Sequence, residues 1–320
     1  MIEPPGVTHE LVSANGLRFH VATCGGGDRL ALCLHGFPEC WYSWRHQMPL
    51  LAELGYRVWA PDLRGYGETD RPRHVQDYAI EPLLDDVAGL IDVAGARSTL
   101  LVAHDWGGII AWYFALRRVR PLARLVVMNL PHPAVMEREV RRWRQLRRSW
   151  YVLFFQIPRL PEAALRMGDY RAVRRAFLDS AVDKSRFPDS VLQVYRDNAA
   201  RPGALTAMLN YYRALLRGGG SRQRALGYPV IETPTLMLWG EEDVALCKET
   251  TYGTERYVPN LTLRYLPRVS HWVQQEAPET VNAMLAAWLT DQPVPEASSV
   301  ERSALSVPDL SEPSTLNAQR

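Results

Sequence analysis

The chain of 320 residues carries 37 Lys and Arg against 35 Asp and Glu, a formal net charge of +2 that points to neither nucleic acid nor an anionic membrane as a global partner. Cys24, Cys33, Cys40 and Cys247 have no C-x-x-C spacing and no His/Cys pair falls at ligand spacing, so reduced structural thiols are expected, with no metal and no cofactor. The N-terminus lacks a basic segment followed by an apolar one, and no uncharged run approaches the roughly 20 residues of a membrane span, so a cytoplasmic protein is expected.

The length suits one α/β domain carrying an insertion. His9 to Ala22 alternates around Asn15-Gly16, a strong signal for an antiparallel hairpin. Arg29 to Leu34 is a buried-type strand that stops at His35-Gly36-Phe37-Pro38-Glu39, and Trp41 to Leu54 then reads as a helix closed by Gly55. A strand over Tyr56 to Pro61 leads into the glycine-rich loop Asp62 to Pro72. Leu83 to Val93 is helical, Ser98 to Ala103 has the content of a strand buried on both faces, and Leu122 to Leu130 is the next strand. This alternation predicts a mostly parallel, doubly wound sheet with an N-terminal antiparallel hairpin, an α/β fold.

The rhythm breaks at Pro131-His132-Pro133. Val140 to Gln156, Arg171 to Ala181, Ser190 to Asn198 and Leu205 to Arg217 read as helices with no strand among them, an inserted helical cap closed by Gly218-Gly219-Gly220. Strand–helix alternation resumes with Thr235 to Leu238, a helix around Glu249 to Tyr257, a strand Leu261 to Leu266 and an amphipathic helix Glu279 to Leu289. The expected division is therefore core over 1–132, cap over 133–226, core over 227–291 and a disordered tail over 292–320, whose Pro, Ser and Glu content offers little to bury. Within the cap, Arg138, Arg141, Arg142, Arg144, Arg147 and Arg148 interleave with Val140, Trp143, Leu146 and Trp150. A membrane-surface or nucleic-acid helix has this look. Because the rest of the chain compensates the charge, the favoured expectation is a helix whose apolar stripe packs and whose arginines are solvated.

The chemistry centres on Leu101 to Gly108. A strand that runs straight into a helix needs a sharp corner, and Ala103, Gly107 and Gly108 let it close around Asp105, held strained at the tip. That is the arrangement of a nucleophile elbow with Asp in place of Ser. Taken alone, Asp105 reads equally well as a helix cap. What separates the readings is convergence: His35 to Pro38, Asp105, Asp243 and His271 each follow the C-terminal end of an expected strand, and in an open α/β sheet those ends share one edge. The order nucleophile, acid, histidine is also that of α/β-hydrolases.

On these residues the chain resembles the soluble epoxide hydrolases of the α/β-hydrolase fold, over roughly residues 9 to 290. The resemblance rests on His35-Gly36-Phe37-Pro38-Glu39, Asp62-Leu63-Arg64-Gly65-Tyr66-Gly67, His104-Asp105-Trp106-Gly107-Gly108, Asn129-Leu130-Pro131-His132-Pro133 and Ser270-His271-Trp272. Tyr151 and Tyr212 stand where that family carries two epoxide-activating tyrosines. The resemblance implies Asp105 as nucleophile, His271 as base, Asp243 as its orienting acid and the two phenols as donors to the opening oxygen. The backbone N–H groups of Phe37 and Trp106 would form an oxyanion hole, with His35, Gly36, Pro38 and His104 supporting. Ala103 replaces a frequent Gly and Tyr211 a frequent Trp.

The implied activity is conversion of a small-molecule epoxide to a vicinal diol. A haloalkane dehalogenase would share Asp105 and Trp106, yet it needs no cap phenols and often carries a carboxylate where this chain has Asn129. A fluoroacetate-type dehalogenase usually has Arg at the position of Trp106. A serine esterase is excluded at the elbow, and a non-catalytic ligand-binding homologue would ordinarily have lost a catalytic group. The choice of epoxide, the selectivity and the oligomeric state, a homodimer included, are not written in the sequence.

Overall fold

A computed structural model describes residues 3–219 and 224–300. Asn15 and Gly16 both take left-handed φ, 46° and 71°, which lets a tight turn join β1 (Thr8–Ala14) to β2 (Leu17–Cys24) as an antiparallel hairpin. The remaining strands are β3 (Arg29–Leu34), β4 (Arg57–Pro61), β5 (Ser98–His104), β6 (Arg124–Met128), β7 (Thr235–Gly240) and β8 (Leu261–Leu266). All eight form one sheet in the order β1-β2-β4-β3-β5-β6-β7-β8. β2 pairs with β1 and β4 antiparallel, and every other pairing is parallel.

Consecutive residues of β3 and β5 are buried, Leu30 to Leu34 and Leu100 to His104, which requires cover on both faces of the sheet. Helices Ile80–Ala94, Trp106–Leu116 and Pro278–Leu289 belong to the crossover and closing segments, and the first stops at Gly95, whose φ of 58° suits glycine. The strand order reverses between β3 and β5. From β3 the chain goes outward to β4, then returns to the other side of β3 to make β5, so the loops after β3 and β5 diverge over a crevice at their carboxyl ends.

Between β6 and β7 the described residues contain helices and no strand. The helix expected over Val140 to Gln156 is instead broken into Trp143–Arg148 and Trp150–Phe154, following Pro133–Glu139. Extended backbone at Arg142 (ψ 136°) and the non-helical Ser149 (ψ 11°) make the breaks. Leu160–Leu178 is kinked at Met167 to Tyr170, where Gly168, Asp169 and Tyr170 all have positive φ. The expected helix around Glu249 to Tyr257 is replaced by two short 3-10 turns, Lys248–Thr251 and Thr254–Arg256, separated by Gly253 at φ 90°. Hydroxyls of Thr250 and Thr254 donate to the carbonyls of Cys247 and Thr251 there, local bonds that compete with a continuous helix. The run Gly218 to Gly220 falls partly outside the described residues.

The beginning of the expected tail also differs. Val294 and Ala297 are buried, and the Arg264 guanidinium on β8 donates twice to the Val294 carbonyl, at 3.2 and 2.9 Å. Two small apolar side chains and one arginine suffice to dock this stretch despite its polar composition. Residues 301–320 lie outside the described residues. Among the described residues no helix is long and apolar enough to cross a membrane, and all four cysteines are free and buried.

Truncation after Gln292 removes the buried Val294, worth about 1.5–3 kcal/mol when fully buried, and should lower the melting temperature by roughly 2–5 °C relative to truncation after Val300. Equal melting temperatures for the two truncations would show that the contact adds nothing.

Candidate active site

The corner after β5 is made by Asp105, whose φ of 48° and ψ of −119° lie in a region that side-chain-bearing residues seldom occupy. Three glycines let the corner close. A methyl on Gly107 would overlap the Leu34 carbonyl, one on Gly108 would stand 2.9 Å from the Leu130 Cβ, and one on Gly36 would overlap the Asp105 carboxylate itself. The loop after β3 can therefore lie directly against Asp105. There the Phe37 N–H donates to Asp105 Oδ1 at 2.7 Å. Trp106 opens the next helix, so its N–H has no intrahelical acceptor a turn earlier.

His271, in the loop after β8, brings Nε2 to 3.6 Å from Asp105 Oδ2, while its Nδ1 lies 2.7 Å from Asp243 Oδ2. Asp243 follows β7 and is fully enclosed: Oδ1 accepts from the N–H groups of Ala245 and Leu246 at 2.7 and 2.9 Å, and Oδ2 accepts from Asn129 Nδ2 at 2.7 Å. Burial opposes charge on both carboxylates, but the nearby His271 charge, its hydrogen bond to Asp243 and the backbone and Asn129 N–H donors hold both below the ordinary Asp value. Burial likewise opposes the imidazolium, and the two flanking carboxylates outweigh it, raising His271 well above 6.5.

The residues of the loop after β3 divide by partner. His35 Nε2 accepts from the Leu63 N–H at 3.0 Å and its Nδ1 donates to the Gly36 carbonyl at 2.9 Å, a neutral imidazole bridging two loops. Burial lowers its pKa in keeping with that. Pro38 follows a cis peptide bond from Phe37. His104 is wholly buried, with Nδ1 at 2.9 Å from Glu39 Oε2 and Nε2 donating to the His271 carbonyl at 2.9 Å.

Tyr151 and Tyr212 come from the inserted helices, with ring centroids 5.9 Å apart and perpendicular packing of Tyr212 on Trp106 at 4.9 Å. Burial raises both phenol pKa values, and the nearby Asp105 charge raises them further, so both phenols keep their protons. Tyr211 differs: its hydroxyl donates to the Arg64 carbonyl at 2.8 Å and is committed to the scaffold.

A family profile described as the alpha/beta hydrolase fold matches residues 32–278. The chain is 39% identical to epoxide hydrolase 4 of Mus musculus over 288 residues, 88% of this chain and 79% of that one. It is likewise 39% identical to AB hydrolase superfamily protein YfhM of Bacillus subtilis over 290 residues, 90% of this chain and 99% of that one. Among solved structures, an epoxide hydrolase from Bacillus megaterium superposes with a TM-score of 0.81 at 31% identity, covering 88% of this chain and 100% of that one. The chain belongs to the epoxide hydrolase family of the α/β-hydrolase fold. An epoxide hydrolase from Vigna radiata gives 0.77 at 32% identity, over 89% and 98% of the two chains.

Two cavities of this hydrolase meet at Asp105, Tyr151 and Tyr212. One, about 290 Å³, is walled by Ile109, Leu130, Met136 and Val152, and the other, about 450 Å³, by Phe37, Phe154, Leu165, His271 and Trp272. Both walls are mostly apolar. A separate cavity of about 660 Å³ beside His9, His20, Trp41 and Arg201 contains none of the candidate residues.

Several residues that position the hydrolase's site carry little sequence signal. Glu39 was visible only as part of a motif; it accepts from the Gly36 N–H and from the amides of Gln274 and Gln275 at 3.0 and 2.8 Å. Asn129, which enters the sequence reading as the start of a resemblance motif and against a dehalogenase but with no role of its own, has φ 40° and binds Asp243 and the Gly240 N–H together. Arg148 is not the solvated arginine expected: it donates to the carbonyls of Asp243 and Leu246 at 2.5 and 3.1 Å, and Gln145 bonds the Ala245 carbonyl and the Cys247 N–H. The inserted helix thus clamps the loop that carries Asp243.

Asn129→Gly suits the same backbone but removes the Nδ2 donor that helps hold the Asp243 carboxylate ionised. The Asp243 pKa should rise, read from its carboxyl carbon resonance by NMR with circular dichroism as the folding control. An unchanged or lowered Asp243 pKa in a folded variant would contradict the geometry.

Proposed function

We propose that this hydrolase converts an apolar epoxide to a vicinal diol through a covalent ester on Asp105. The observation that carries the reading is that Asp105, from the corner after β5, and the phenols of Tyr151 and Tyr212, from the inserted helices, line both cavities. An epoxide placed between them meets a nucleophile on one side and proton donors on the other. Apolar space in both cavities favours a ring carrying apolar groups on each carbon.

Asp105 Oδ1 is held by the Phe37 N–H, which leaves Oδ2 for attack. Oδ2 forms a bond to one epoxide carbon as the carbon–oxygen bond breaks, and the released oxygen takes a proton from Tyr151 or Tyr212, the other phenol donating a hydrogen bond. Ester formation consumes the Asp105 charge. His271 then keeps only Asp243 as a counter-charge, so its raised pKa falls, and its proton passes through solvent to the tyrosinate, which restores the phenol and leaves His271 a neutral base. Neutral His271 takes a proton from water, whose oxygen attacks the ester carbonyl carbon. The tetrahedral oxyanion accepts from the Phe37 and Trp106 N–H groups, each such donor worth about 3 kcal/mol. Collapse expels the diol oxygen, which takes the proton from His271, and the Asp105 carboxyl group then gives the proton it kept from water to the imidazole, restoring the resting charges.

Halide departure needs anion stabilisation but no proton, so the phenols separate this reading from a dehalogenase. Tyr151→Phe and Tyr212→Phe should each slow epoxide opening roughly 100-fold or more, and together nearly abolish it, because each removes a general acid or its hydrogen-bonding partner. Rapid-quench measurement of the first turnover with an aryl epoxide and an aliphatic epoxide reads the loss, with a bromoalkane as the competing substrate. Near-parental epoxide opening by the double variant, or faster turnover of the bromoalkane by the parent, would overturn the proposal.

A further inference from the structure

The arginine-rich stretch of the insertion leaves part of its apolar content uncovered. Trp143, Leu146, Trp150, Leu153, Ile157 and Leu160 lie close together in the chain, on the short helices Trp143–Arg148 and Trp150–Phe154, the turn that follows and the first residue of Leu160–Leu178. All six are exposed, Trp143 at 71%, Trp150 at 64% and Leu153 at 63%. Scattered exposed leucines need no explanation, but two tryptophans within a run of six such positions form a patch of the kind that marks an interaction surface.

Charge surrounds the patch. Arg142 and Arg144 are paired with Glu139 and Glu249. Arg147, Arg159 and Arg166 are exposed and, among the described residues, have no acidic partner. The near-neutral whole chain therefore conceals a local positive face around exposed tryptophan and leucine. The patch also lies at an opening: Trp150 lines the 450 Å³ cavity that reaches Asp105 and His271, and the exposed Val244 lines it too.

We propose that this face docks on an anionic lipid surface, with the mouth of the cavity turned toward the lipid. Exposed Trp and Leu between arginines are the composition that sits at the headgroup boundary, the apolar side chains entering and the guanidinium groups meeting phosphate. A second copy of the chain fits less well. A two-fold interface sets a patch against itself, so the arginines of one copy would meet the same positive face of the other without an acid to neutralise them. Docking stands on the surface alone; that the mouth thereby receives an apolar epoxide from the lipid rests on the proposed function.

The test uses the full chain with vesicles of phosphatidylcholine alone or with 30% phosphatidylserine, a composition chosen for the probe at ~0.1 M salt, where the Debye length is about 10 Å. Two variants lie outside the cavity walls: Trp143→Ser with Leu153→Ser, and Arg147→Gln with Arg159→Gln and Arg166→Gln. The parent should co-sediment with the phosphatidylserine vesicles and lose binding as salt rises. Each variant should bind them at least tenfold more weakly, while turning over a water-soluble epoxide at the parental rate. Absence of parental binding, binding indifferent to both variants, or a parental dimer in sedimentation that the Trp143 variant dissociates would overturn docking. Loss of epoxide turnover in the parent itself would refute the chemistry and leave the vesicle result standing as a separate finding.

Discussion

Two carboxylates and one imidazole are buried together at the carboxyl edge of the sheet, and much of the surrounding structure compensates that arrangement. Charges removed from water are costly unless their partners are fixed and every lone pair is used. Asp243 meets this by filling both oxygens, with His271 and Asn129 on one and two backbone N–H groups on the other. Asp105 has the Phe37 N–H on one oxygen and the His271 charge beside the other. One positive charge between two negative ones is a balance that changes sharply when either carboxylate is esterified, and the proposed timing of His271, acid at rest and base after alkylation, follows from it.

The scaffold around this group is rigid because its polar contacts are closed loops. Glu39 holds the Gly36 N–H, His104 and both Gln274 and Gln275, and His104 in turn fixes the carbonyl of His271. The loop after β3 and the loop after β8 are thereby tied through one buried carboxylate. Arg148 and Gln145 do the same from above, binding the loop that carries Asp243 to the inserted helix. Through those bonds the segment bearing Tyr151 is set in register with the charges below.

Much of this could be read from the chain, and the parts that could not share a cause. Buried strands announce themselves as apolar runs, the hairpin as Asn15-Gly16, and the corner at Asp105 as small residues flanking an acid. All of these are local. Glu39 bonds to residues 65 and 235 positions away, and no local pattern marks such partners. Tyr151 and Tyr212 were visible only through resemblance, because an isolated tyrosine on an apolar helix looks like core. The arginine run was misjudged for a related reason: periodicity says which residues share a face but not whether anything covers that face, and here Trp143 and Trp150 are left exposed while Arg148 is drawn inward. The expected helix near Glu249 failed where threonine hydroxyls and Gly253 favoured tight turns, and the first residues of the expected tail are docked where Val294 finds a partner in Arg264.

The central claim is that Asp105 itself bonds to the substrate carbon. It is tested most directly by a single turnover with enzyme in excess in oxygen-18 water, followed by mass spectrometry of the diol and of the peptide containing Asp105. The account predicts an unlabelled diol from the first turnover and one labelled oxygen retained on Asp105, and in His271→Gln a peptide heavier by the mass of the whole substrate. A labelled diol in that first turnover, with Asp105 unlabelled, would mean that water attacks the epoxide directly and would contradict the account.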